Sequence, residues 1–195
     1  MIDFSPVRQK LITVADLART IGKADLAAAT DAMTEALLTR IESCSDDDVT
    51  FIPDDPEAND TYAADDSVVS LPWTLGHVIV HATASAEEAA FLAAELARGI
   101  ELHGRSRYEG PWATVTTVEQ CRSRLAESRR MVLATLDAWP DEPHLEVTVE
   151  SSYGPPRNAI ARFLGGLSHS DAHLEHVTAI VEQARQARLT GRLPV

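Results

Sequence analysis

Three histidines, His169, His173 and His176, fall within the stretch LSHSDAHLEHV at Leu167–Val177. Their i, i+4, i+7 spacing puts them on one stripe of a helix, with neighbouring Cβ atoms about 5–6 Å apart. Two imidazoles so placed both reach one metal ion, because a zinc–nitrogen bond is about 2.0–2.1 Å. A single helix cannot close such a site, so a further ligand must come from elsewhere in the chain. The stretch LPWTLGHVIVH offers it, with His77 and His81 at the same i, i+4 spacing. Five of the seven histidines therefore stand in two short segments. Any one of them alone reads more simply as a half-buried helix residue bonded to a neighbour. Two separate stripes together point to metal. Glu88, two turns beyond His81 on the same stripe, is a candidate proton acceptor. Asp171 sits off the His169 stripe and reads as a solvated residue.

The elements that must carry these residues follow from capping and periodicity. Ser5-Pro6 starts a helix in which Val7, Leu11, Val14, Leu17 and Ala18 keep the helical period up to Gly22. A second helix is expected from about Asp25 to Cys44, with Leu26, Ala29, Met33, Leu37, Leu38 and Ile41 as its apolar stripe. Residues 45–70, with SDDDV, PDDPEAND and AADDS, are acidic and aperiodic and predict an exposed connection rather than a calcium loop, since the EF-hand spacing is missing. The helix with His77 and His81 is expected from near Ser70 to about Ile100, with Pro72 in its first turn. Thr117 with Gln120 makes a capping box for the next helix, which Pro140 stops. His144–Val149 alternates and reads as a short strand or an extended return. The last helix should run from about Asn158 to Arg188. The whole is an all-α chain: four main helices and one N-terminal addition in a single domain, 1–195, with its core at about 25–188 and a tail at 189–195.

Composition narrows the partners. A chain of 195 residues builds one well-cored domain. With 30 acidic against 17 basic residues, a net charge of −13 repels a phosphate backbone, which excludes nucleic acid. No apolar run is long enough for a membrane helix, and MIDFSPVRQK lacks a signal peptide's apolar core. Cys44 and Cys121 have no CxxC or CxxH partner and read as reduced thiols of a cytoplasmic protein. There is no phosphate loop and no Ser-His-Asp pattern. Phe51, Tyr62, Tyr108 and Trp112 in the loops suggest an apolar pocket mouth. Alanine-rich faces on long helices lead us to expect a homodimer.

Trp73 followed eight residues later by His81, with a late helix reading H-x-x-x-H-x-x-H, resembles the DinB-like superfamily. That group also includes the N-terminal domains of mycothiol-dependent maleylpyruvate isomerases and the bacillithiol transferases. The similarity runs from about Ala27 to Ala187. It implies an up-down-down-up four-helix bundle with a long second connection and a divalent metal, zinc or nickel, held by three side chains. Carried over, those ligands are His81, His169 and His173, with His77 and His176 either supporting the ligands from outside or serving as alternative ones. Three neutral imidazoles leave one position open on a tetrahedral ion, the arrangement of catalytic zinc. The resemblance then implies an enzyme that activates a low-molecular-weight thiol, of the mycothiol or bacillithiol type, for transfer to a small-molecule electrophile. The alternatives are a metal-dependent hydrolase using metal-bound hydroxide and a non-enzymatic metal-binding stress-response module.

Overall fold

Seven α-helices are found in the computed structural model among the described residues, which are 2–60, 66–100, 110–152 and 154–192. They are α1 Ser5–Arg8, α2 Val14–Leu17, α3 Lys23–Arg40, α4 Asp46–Thr50, α5 Leu75–Ala97, α6 Val118–Asp137 and α7 Ala159–Leu189. Side-chain caps mark most of the starts. The Thr74 hydroxyl accepts from His77 N at 3.2 Å at the head of α5. At α6, Gln120 N donates to the Thr117 hydroxyl and Gln120 Oε1 accepts from Thr117 N, at 3.2 and 3.0 Å. Asn158 Oδ1 accepts from Ala161 N at 3.0 Å at the head of α7.

The contacts between the long helices fix their directions. α3 runs against α6: Asp31 pairs with Arg129, the Glu42 carbonyl accepts from Arg122, and Asp46 accepts from Val118 N. α3 runs along α7, since Arg40 bonds Thr178 and Asp48 pairs with Arg188. α5 and α6 share a direction, because Gly76 abuts the Val115 carbonyl before α6 begins and the Ala97 carbonyl accepts from His144 N beyond its end. α5 opposes α7, with His81 against His169 and Gly166 against Ala86 and Ala89. The bundle is therefore up-down-down-up, and both α3 and α5 pack between α6 and α7. Leu26, Leu37, Ile79, Leu125, Leu164 and Ile180 fill its centre. Each bundle helix also contributes one buried hydroxyl, Thr30, Thr83, Ser128 and Ser170, around a cavity of about 30 Å³. All four donate to backbone carbonyls, so none is buried unsatisfied.

Several expected boundaries differ. The single N-terminal helix is instead α1, α2 and a 3₁₀ turn at Ala18–Thr20. Lys10 takes a positive φ of 58°, and a Thr13–Asp16 capping box restarts the chain, a local signal in TVAD that outweighs the longer apolar period. α3 ends at Arg40 rather than Cys44. α5 begins at Leu75 rather than near Ser70, because Thr74 and not Ser70 supplies the cap, and Gly99 at φ 75° follows its end. The acidic connection is not wholly exposed. It holds α4, in which Asp48 and Val49 are buried. Asp48 accepts from Ser45 N at 2.7 Å and pairs with Arg188, clamping the end of α7. Of the expected strand, only an isolated antiparallel bridge between Val149 and Arg157 forms among the described residues. Tyr62, His103 and Tyr108 lie outside the described residues.

Two expected outcomes follow from these contacts. Asp48 is 1% exposed, so Arg188→Met leaves a buried charge without its cation and should cost about 3 kcal/mol by chemical denaturation. The double variant with Asp48→Asn should recover part of that loss. Burial pushes the Cys121 thiol from 9.0 up to about 12, with Cys44 and Asp46 adding to the rise. The unfolded chain ionises this thiol first, so its contribution to stability is full below about 9 and is lost as pH climbs towards about 12. The urea midpoint should fall between pH 8 and pH 10 by more in the parent than in Cys121→Ala.

Candidate metal centre

The two histidine stripes meet on the seam between α5 and α7. His81 Nε2 lies 2.8 Å from His169 Nε2, which in turn lies 3.2 Å from His173 Nε2. Ring centroids are 4.6–5.0 Å apart across the three pairs. Their ligand nitrogens all fall within 4.8 Å of one another, and no other His, Cys, Asp or Glu of the described residues joins a group of this kind.

This donor set fits a metal. An imidazole nitrogen without a proton has one in-plane lone pair, so Nε2 of His169 cannot serve both neighbours well as a hydrogen-bond acceptor. Three such lone pairs aimed at a common point are satisfied together by a cation. Two nitrogens on a tetrahedral ion with bonds of about 2.0–2.1 Å stand roughly 3.3 Å apart. The observed 2.8 and 3.2 Å lie close to that value, and small ring rotations supply the difference.

Aromatic rings wall the group. Trp73 lies 4.5 Å from His81 and 5.8 Å from His173 between ring centroids. His77 does not join the nitrogens. Its ring is stacked between Trp73 at 4.4 Å and Trp112 at 4.2 Å, and it is 6% exposed. His176 also stands apart, with its ring 5.9 Å from both His173 and Trp73. Burial pushes the His176 imidazole below its ordinary value, while the Asp55 carboxylate opposes that shift and His77 and His81 add to it.

The DinB superfamily family model matches residues 29–177. The chain belongs to the DinB superfamily. No curated protein and no solved structure matches it. The family match covers both histidine stripes of this DinB protein, and the all-helical bundle agrees with it.

The remaining candidates are placed as follows. Glu88 is half-buried on α5, about 10 Å along the helix axis from His81 at 1.5 Å per residue. It lies outside the nitrogen cluster, at the level where Gly166 meets Ala86 and Ala89. Asp171 is not solvated, because Arg8 of α1 covers it in an ion pair that leaves its side chain 10% exposed. Sequence reasoning missed the Trp112 side of the His77 stack. The only signal was the aromatic residue itself in a glycine- and proline-containing loop.

Protein purified without an affinity tag should carry stoichiometric metal by elemental analysis. Single alanine variants of His81, His169 and His173 should each lose most of it, whereas His103→Ala and His144→Ala should keep it. Full occupancy in the triple variant would rule the site out.

Proposed function

We propose that this DinB protein is a metal-dependent enzyme that activates a low-molecular-weight thiol, of the mycothiol or bacillithiol type, for S-transfer to a small electrophile. The observation that carries this reading is the convergence of three imidazoles, with no carboxylate or cysteine among the described residues in the group. Zinc or nickel bound there supplies Lewis acidity at an open position, which favours the anionic form of a thiol at neutral pH.

The chain's own residues do the rest. His81 from one helix and His169 and His173 from another present neutral donors, so the ion's charge is left for an anionic fourth ligand. Trp73 places an aromatic face against His81 and His173 and keeps water from that side. The protein's own thiols do not compete. Cys44 and Cys121 lie by the α3–α6 seam, on the other side of the bundle, and burial pushes both above their ordinary value. Glu88 stands too far along α5 to touch an atom held by the three nitrogens, so in this reading it receives the proton by way of water. A hydrolase is the second reading, favoured by the same placement of Glu88, with water taking the place of the thiol.

Cobalt-substituted protein should develop a sulfur-to-metal charge-transfer band in the near ultraviolet when a small thiol is added, and His169→Ala should not. Glu88→Gln should keep the metal and lower S-transfer about a hundredfold, as expected for removal of a general base. Thiols that leave the cobalt spectrum unchanged, together with turnover of an ester or amide by water alone, would replace the transferase with the hydrolase. Loss of both activities in metal-loaded protein would leave a binding module.

A further inference from the structure

Four layers of rings run from the connection between α5 and α6 to the metal centre. Trp112 lies flat on His77, with ring centroids 4.2 Å apart and planes within 5°. His77 lies on Trp73 at 4.4 Å and 25°. The Trp73 ring then stands 4.5 Å from His81 and, nearly parallel at 23°, 5.8 Å from His173. An observed ring contact therefore joins each layer to the next, from Trp112 to two of the three metal-binding candidates.

The two ends of this stack differ in how they are held. Trp73 belongs to the coil before the Thr74 cap, so no helix sets the direction of its ring. Trp112 opens the 3₁₀ turn Trp112–Thr114, which is bonded on both sides. Trp112 N donates to the Gly110 carbonyl at 2.7 Å, and Val115 N donates to the Trp112 carbonyl at 2.9 Å. The next residue, Thr116, donates its N–H to Gln120 Oε1 at 2.8 Å and so joins the α6 cap. Gly76 lets this segment lie close on α5, because a Cβ there would meet the Val115 carbonyl oxygen at 2.5 Å. The firm end of the stack is thus the one remote from the three histidines.

We propose that Trp112 is a positioning residue for the metal centre: through His77 it fixes Trp73, and through Trp73 the ring planes of His81 and His173. Ligand groups must be held within about 0.5 Å of their working geometry, and the groups behind them supply that precision. The inference rests on metal binding at the three histidines and holds for transfer to a thiol or to water alike.

The test is cobalt affinity, read by chelator competition, together with the visible d–d bands of the bound ion. Trp112→Ala should bind cobalt about tenfold more weakly than the parent, the low end for loss of support behind metal ligands, and its bands should shift. Trp112→Phe, which keeps a ring to stack, should recover most of the affinity and the parent spectrum. Gly76→Ala, which displaces the segment without removing a ring, should lose part of both. Trp139→Phe alters a core tryptophan that packs edge-on against Phe163 at 6.2 Å. It should lower the urea midpoint and leave cobalt binding unchanged. An affinity within about twofold of the parent in Trp112→Ala, or an equal loss in Trp139→Phe, would overturn the proposal. If the parent binds no cobalt, the metal reading fails, and the positioning role is judged in metal-free protein by the imidazole Cε1–H resonances. Those of His81 and His173 should then move in Trp112→Ala, and a change confined to His77 sinks the role.

Discussion

The site depends on how closely α5 approaches α7. A Cβ on Gly166 would come within 2.5 Å of the Ala89 Cβ, so only glycine there permits the observed spacing. Larger residues would push the helices apart, as overpacking does in any close-packed interior. Imidazole is a short side chain, and His81 meets His169 at 2.8 Å only because the backbones are this near. The small residues along HATASAEEAA and FLGGLSHS thus serve the chemistry as much as the packing.

The same approach sets the electrostatics. All three donors are neutral when they bind, so nothing in the cluster cancels a bound ion's charge. The acidic surplus of the chain is spent elsewhere, on caps and clamps such as Asp16, Asp25 and Asp48 and on pairs such as Asp31 with Arg129. Arg8 takes up Asp171, the carboxylate nearest in sequence to the histidines of α7. Local placement and not net charge therefore decides the field at the histidines.

Much of this is legible in the sequence, for identifiable reasons. Thr117 with Gln120, Asn158 before a long periodic run and the stripe from Leu26 to Ile41 each carry their own signal, and α6, α7 and most of α3 follow it. The i, i+4 histidines announce the site without any knowledge of the packing. What stays hidden depends on distant partners. Asp48 reads as one more acid in a solvated run, and it is buried only because Arg188, far along the chain, reaches it. Thr13 with Asp16 is a local signal easily masked by a longer apolar period. Arg157 beside Gly165 has no sequence signature, since the pairing spans two turns of helix and the bridge to Val149.

The two histidine pairs make the point most directly. His77 with His81 and His169 with His173 share one spacing, yet three of the four residues bring their nitrogens together and His77 is held apart. Spacing places two rings on one face of a helix, and the opposing surface decides what each ring meets. His173 faces the close α5 backbone and finds His81. His77, one turn nearer the start of α5, meets Trp73 on one side and Trp112 on the other. Stacking of this kind holds a ring in place through apolar contact over both faces. His77 thereby braces Trp73, the ring that in turn lies against His81 and His173. A motif that looks like a fourth ligand is in this fold part of the aromatic wall beside the site.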